Sequence, residues 1–153
     1  MAIFLSTYVN KVDRKGRVSV PAPFRAQLTP QNQPGIVVFR SFKLPALEAG
    51  GFDRMEEMSR RLETLEQFSE EYDSFSALFA DMQQLPCDPE GRIMLPQELA
   101  EYAGITDSAA FVGGGPTFQI WQPQAFERHQ AEVRAKAKEK GLTFPARRPG
   151  EGQ

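Results

Sequence analysis

Two periodicities alternate along the chain and divide it into segments. Thr7-Tyr8-Val9-Asn10-Lys11-Val12 is rich in β-branched and aromatic residues and favours extended structure. Asp13-Arg14-Lys15-Gly16 has turn chemistry: an Asp can accept backbone N–H bonds, and a Gly in fourth place tolerates positive φ. Arg17-Val18-Ser19-Val20 alternates polar and apolar, as a half-buried strand does. Pro21 ends that strand and opens a short helical stretch to Leu28, and Ile36–Phe39 supplies a further apolar strand. From Phe52 the spacing changes to three and four residues: Phe52, Met55, Met58, Leu62, Leu65, Phe68, then Tyr72, Phe75, Leu78, Phe79, Met82, Leu85, with Ser69 placed as an N-cap. These stripes predict amphipathic helices packed in a core or a subunit interface. Strand pattern returns at Phe111-Val112 and Phe118–Trp121. A last helix is predicted from Pro123 toward Lys140, with Gly141 as its stop.

The pattern repeats. Asp13 to Phe24 reads Asp-Arg-Lys-Gly-Arg-Val-Ser-Val-Pro-Ala-Pro-Phe, and Asp88 to Leu99 reads Asp-Pro-Glu-Gly-Arg-Ile-Met-Leu-Pro-Gln-Glu-Leu, at a constant offset of 75 residues. Asp, Gly, Arg and Pro recur unchanged, and Val18, Val20 and Phe24 return as Ile93, Leu95 and Leu99. Pro96 again opens a short helix, and Gly104 is placed to cap it. Phe52-Asp53-Arg54 and Phe126-Glu127-Arg128 each open a helical pattern. Each module is therefore strand, turn, strand, short helix, more strand and a closing helix. A unit this small buries little apolar surface alone, so the expectation is an intertwined pseudo-dimer of the two copies. The predicted division is 1–51 for the first module, 52–85 for a helical insert completing it, 86–140 for the second module with its closing helix, and 141–153 for a flexible tail.

Charge sharpens the picture. The net charge of −2 hides +6 over residues 1–43, −10 over 44–103 and +2 over 104–153. One cysteine, Cys87, excludes an intrachain disulfide and a Cys-based zinc site. The start lacks a signal-peptide pattern and no apolar run approaches a membrane span, so a cytoplasmic protein with no membrane partner is expected. Catalysis is not expected: Ser19 and Ser41 have no evident base. Gly113-Gly114-Gly115-Pro116 lacks the Lys-Ser/Thr of a phosphate loop and reads as a turn. No cofactor, metal or small-molecule substrate is called for.

The two Asp-x-x-Gly-Arg-apolar-x-apolar-Pro units, with the amphipathic helices between them and Gly113 through Trp121 leading into a Pro-started helix, resemble the tandem repeats of the MraZ family over roughly residues 3 to 135. The resemblance implies a mainly β fold with α: two fused AbrB-like swapped-hairpin modules forming a pseudo-dimeric β-barrel, with helices between and after the repeats. It further implies a ring-shaped homo-oligomer, an octamer or larger, associated with the nucleoid. Such a ring would bind short repeated DNA boxes upstream of the division and cell-wall gene cluster as a transcriptional regulator.

A basic hairpin suits such a role, because a two-stranded ribbon fits the major groove and arginine can bind guanine O6 and N7 in a bidentate way. The candidate DNA contacts are Arg14, Lys15 and Arg17, with Lys11 and, outside the motif, Arg25 as weaker ones. Asp13 and Gly16 are expected to structure the first turn, and Asp88, Gly91 and Arg92 the second. The second copy carries Pro89 and Glu90 where the first has Arg14 and Lys15, so it is expected to support the fold rather than meet phosphate. The competing reading is an oligomeric protein-interaction scaffold that binds no DNA.

Overall fold

A computed structural model describes residues 2–28, 35–143 and 145. The elements in chain order are β1 (Thr7–Lys11), β2 (Arg17–Ser19), α1 (Ala22–Leu28), β3 (Ile36–Arg40), β4 (Leu47–Gly50), α2 (Phe52–Leu62), α3 (Glu70–Asp81), β5 (Gln83–Leu85), β6 (Arg92–Met94), α4 (Gln97–Tyr102), β7 (Ser108–Gly113), β8 (Phe118–Trp121) and α5 (Pro123–Lys140). Met1–Pro123 form one compact unit; Gln124–Gln153 form a second, whose described part is chiefly α5. The predicted tail, including Arg147 and Arg148, lies outside the described residues apart from positions 141–143 and 145.

The first unit is a mixed α/β arrangement around an antiparallel sheet of order β1-β7-β8-β4-β3-β5. Exchanging the equivalent strands of the two repeats (β1 with β5, β3 with β7, β4 with β8) leaves that order unchanged when read backwards. Each repeat lends its first strand to the other: β1 pairs with β7, Thr7 opposite Val112, and β5 pairs with β3, Leu85 opposite Ile36. The halves meet where β4 pairs with β8. A separate ribbon joins β2 to β6, with Val18 opposite Ile93, the two positions related by the repeat offset. Leu95 N donates to Gly16 O (2.8 Å) and Val20 N to Gly91 O (3.0 Å), so each turn is tied to the strand of the other repeat.

The expected closed barrel is not what forms. β1 and β5 end the sheet and do not pair with one another. The physical reason is the ribbon: β2 and β6 leave the sheet to pair across the pseudo-twofold axis, and among the described residues no strand remains to close it.

The apolar positions of the repeat build the core. Val18, Val20, Phe24, Ile93, Leu95 and Leu99 are all buried in one cluster, each worth about 1.5–3 kcal/mol of burial. Phe4, Phe24 and Phe118 pack ring to ring at 4.9–5.3 Å between centroids. β3 has no polar alternation because both its faces are covered: Ile36 and Val38 face this cluster, while Val37 and Phe39 pack with Met55 of α2.

The helical insert departs from its predicted extent in two places. The first stripe was expected to run to Phe68, but α2 ends at Leu62. There Thr64 Oγ1 donates to Arg61 O (2.6 Å) and Leu65 N to Leu62 O (3.1 Å), turning the chain toward α3. The second was expected to reach Leu85, but α3 ends at Asp81. Gln83–Leu85 are instead the counterpart of β1, drawn into the sheet by the open edge of β3. Ser69 does cap α3, its Oγ accepting from Tyr72 N at 3.1 Å. Gly104 and Gly141 end α4 and α5 with positive φ of 65° and 66°. In each case the following residue reaches back to close the last turn, Ile105 N to Ala100 O and Leu142 N to Ala137 O.

Candidate nucleic-acid interface

The two Asp-x-x-Gly-Arg segments fold into the same turn, bond for bond. In the first, Asp13 Oδ1 accepts from Lys15 N (2.9 Å) and Arg17 N (2.8 Å), and Asp13 Oδ2 accepts from Arg17 Nε (2.7 Å). In the second, Asp88 Oδ1 accepts from Glu90 N and Arg92 N, and Oδ2 from Arg92 Nε, all at 2.9 Å. The backbone closes identically: Asp13 N donates to Arg17 O and Gly16 N to Asp13 O, as Asp88 N does to Arg92 O and Gly91 N to Asp88 O. Gly16 and Gly91 hold φ of 84° and 81°, which a side chain strains. The spacing of Asp, Gly and Arg is thus dictated by one carboxylate serving two amides and one guanidinium.

That carboxylate stays ionised. Backbone donation from Arg17 and Lys15, together with the Arg17 guanidinium, lowers the Asp13 pKa below its ordinary 3.8, against a smaller opposing push from desolvation. Asp88 is lowered in the same way by Arg92 and Glu90. Each arginine is consequently held by its Nε edge, the fixed geometry that lets a planar fork be presented rather than left to wander.

Outside this shared frame the turns differ. Arg14 and Lys15 are exposed, and neither has an ion-pair partner among the described residues. Lys11, at the end of β1, is exposed and likewise unpaired among them. In the second turn Glu90 Oε2 lies 3.5 Å from Arg92 Nη2, so Arg92 serves two carboxylates. The Asp88 hydrogen bond, opposed by desolvation, and the charges of Asp88, Glu90 and Asp13 raise the Arg92 pKa.

Arg25 does not join the basic tip. Its Nη1 donates to Val20 O, and its guanidinium lies against Gly91, where an added Cβ would come within 2.6 Å of Nε. It buttresses the second turn from behind, which no local pattern around Arg25 could show. The ribbon also places together residues that the sequence kept apart. Val18 and Ile93 point inward, so Arg17, Ser19, Arg92 and Met94 share the outward face, Arg17 opposite Met94 and Ser19 opposite Arg92.

Other candidate chemistry is occupied by structure. The amides of Gly113, Gly114 and Gly115 donate to Ser6, Thr117 and Phe4 carbonyls at 2.8–3.0 Å, which uses the donors a phosphate cradle would need. Ser41 is buried and its Oγ accepts from Lys43 N and Leu44 N. Burial pushes the Cys87 thiol up, an unreactive setting. Among the described residues no group of three or more His, Cys, Asp or Glu could hold a metal, and no helix is long and apolar enough to cross a membrane.

The fold and its paired turns define a tandem-repeat β-ribbon protein, displaying one turn twice with opposite charge. A family model described as "MraZ protein, putative antitoxin-like" matches residues 78–143. The chain is 46% identical over 145 residues to the transcriptional regulator MraZ of Rickettsia canadensis, covering 94% of this chain and 97% of that one. It is 44% identical over 154 residues to the transcriptional regulator MraZ of Gluconacetobacter diazotrophicus, covering 98% of both. The chain belongs to the MraZ family of transcriptional regulators.

Proposed function

We propose that this protein regulates transcription by binding promoter DNA through the turn at residues 13–17. Arg17 reads base edges, Arg14, Lys15 and Lys11 contact phosphates, and Asp13 and Gly16 fix the turn that carries them. The observation that carries the reading is the pairing of one shared turn geometry with two charge states: only the first turn offers cations without ion-pair partners among the described residues. The turn at 88–92, with Asp88, Gly91 and Arg92, holds the ribbon together. The exchange of β1 and β5 between repeats fits two fused AbrB-like swapped-hairpin modules. The protein acts without catalysis, in the cytoplasm at the nucleoid, on short repeated boxes upstream of the division and cell-wall gene cluster.

A single turn binds weakly. A ring of eight or more copies multiplies it through effective concentration when the boxes repeat at matching spacing. Gel-shift titration against DNA from upstream of its own gene, across a salt series, tests this. Binding should weaken steeply with salt, because each neutralised phosphate releases counterions. Absence of binding at low salt would leave the scaffold reading in its place.

A further inference from the structure

The connection between α2 and α3 holds a residue that the fold does not use. Phe68 is 84% exposed and its backbone lies at φ 72°, a left-handed conformation that a bulky residue adopts only under strain. It precedes the N-cap Ser69, where an apolar residue ordinarily packs against the fourth position of the helix; that position is Asp73, which offers no apolar surface. Glu66, Glu70 and Glu71 surround it in sequence, and none has an ion-pair partner among the described residues. The connection is an aromatic knob in an acidic collar.

A matching socket lies on the same unit. A cavity of about 390 Å³ is lined by Phe39, Phe42, Met55, Met58 and Leu78. Phe42 is 63% exposed at its mouth. Two cations stand on its wall. Lys43 has no ion-pair partner among the described residues, and Arg54 gives Nη1 to Glu57 (3.2 Å) while its buried Nε has no acceptor among them. Glu48, the carboxylate on the wall, is engaged by Gln119 Nε2 at 3.2 Å. Arg54 is balanced by Glu57, so Lys43 is the wall cation left to meet an acidic collar, and the apolar lining is the complement of an aromatic side chain.

We propose that Phe68 of one copy of this chain docks into this cavity of the next copy, with the Glu66, Glu70 and Glu71 collar facing Lys43. Phe68 is exposed and does not line the cavity of its own chain. Met55 lies in the first turn of α2 and Phe68 beyond its far end, with about 10 Å of helix between Met55 and Leu62 alone. Knob and socket are therefore different surfaces, and their union is head-to-tail, the kind of contact that closes into a ring rather than stopping at a dimer. The inference deepens the assembly part of the proposed function and rests on it.

The test uses the full chain. Phe68→Gly removes the knob and relieves the positive φ, so the protomer should melt at the same temperature or slightly higher. The concentration needed for half-assembly in sedimentation should rise about tenfold or more, the cost of losing an interface anchor. In a Cys87→Ser background, Phe68→Cys and Phe42→Cys proteins are each oxidised alone and then mixed before oxidation. A covalent dimer of the two is expected only in the mixture. Unchanged assembly in Phe68→Gly, or cross-linking of Phe68→Cys to itself as strong as in the mixture, overturns the contact while leaving the ring intact. A wild-type protein that stays monomeric at every concentration overturns the ring reading itself.

Discussion

The two turns are one design with two surfaces. Asp13 and Asp88 make the same bonds to within 0.2 Å, Gly16 and Gly91 agree in φ to within a few degrees, and the ribbon ties each turn to the opposite repeat. What differs is what lies outside the carboxylate's reach: Arg14 and Lys15 in one, Pro89 and Glu90 in the other. Duplication preserved the device that shapes the turn and left the outward side chains free to diverge. The lesson is that the Asp–Arg pair is a structural invariant. What separates the two turns has to be sought in the residues beside the pair, Arg14 and Lys15 against Pro89 and Glu90, while the pair itself presents its arginine.

The comparison breaks most visibly at the basic tip. Arg14→Ala, Lys15→Ala and Arg17→Ala together should lower affinity for promoter DNA by about a hundredfold or more in gel-shift titration. The Arg17→Ala change alone should account for about 1–3 kcal/mol of sequence discrimination, with a small loss of stability from the Asp13 pair that stays below the loss in Arg92→Ala, whose arginine serves a second carboxylate, Glu90. Arg92→Ala should instead show in urea unfolding or assembly, with DNA affinity largely kept.

A smaller effect separates the glycines. Gly16→Ala should cost about 1–2 kcal/mol in urea unfolding for the positive φ. Its added Cβ also comes to 3.0 Å from the backbone oxygen of Leu95, whereas at Gly91 the added Cβ meets the Arg25 guanidinium, so Gly91→Ala should lose part of its cost in an Arg25→Ala background and Gly16→Ala should not. An unchanged cost of Gly91→Ala in that background would remove the buttress.

The comparison can also be inverted. Pro89→Arg with Glu90→Lys copies the first tip onto the second frame. It should raise nonspecific DNA affinity and steepen its salt dependence by about one counterion for each new phosphate contact. An unchanged slope would mean the second turn cannot reach DNA whatever its charge.

The smallest expected effect is on acid stability. Asp13, Asp88 and Asp81 all titrate below the ordinary 3.8 in the folded chain, Asp81 through its hydrogen bonds from Arg40. Their contribution is then fully present above that value and lost as pH falls through it toward the folded pKa. Stability attributable to these groups should be flat from pH 8 to about 5 and fall only in stronger acid, and Asp13→Asn should blunt that fall.

Much of this was legible in the sequence because the repeat compares the chain with itself. Asp, Gly and Arg at fixed spacing could be assigned to a turn, and alternation at Val18, Val20, Ile93 and Leu95 to a buried face, without coordinates. Ser69, Gly104 and Gly141 announced their caps by residue type alone. What stayed hidden was non-local. Gln83–Leu85 continue a helical spacing and become a strand only because β3 has an open edge. The sheet fails to close because β2 and β6 prefer each other, a choice made between segments 75 residues apart. Arg25 looked like a helix-surface charge and is a brace. The candidate site was readable as a list of cations but not as a face shared by Arg17 and Arg92.

The measurement closest to the central claim is site-directed photocross-linking from the two tips. A benzophenone attached at Lys15→Cys or at Glu90→Cys, each in a Cys87→Ser background, is irradiated with promoter DNA. Covalent protein–DNA product from position 15 and none above background from position 90 is the predicted result. Product from position 90 with none from position 15 would contradict the assignment of the two turns.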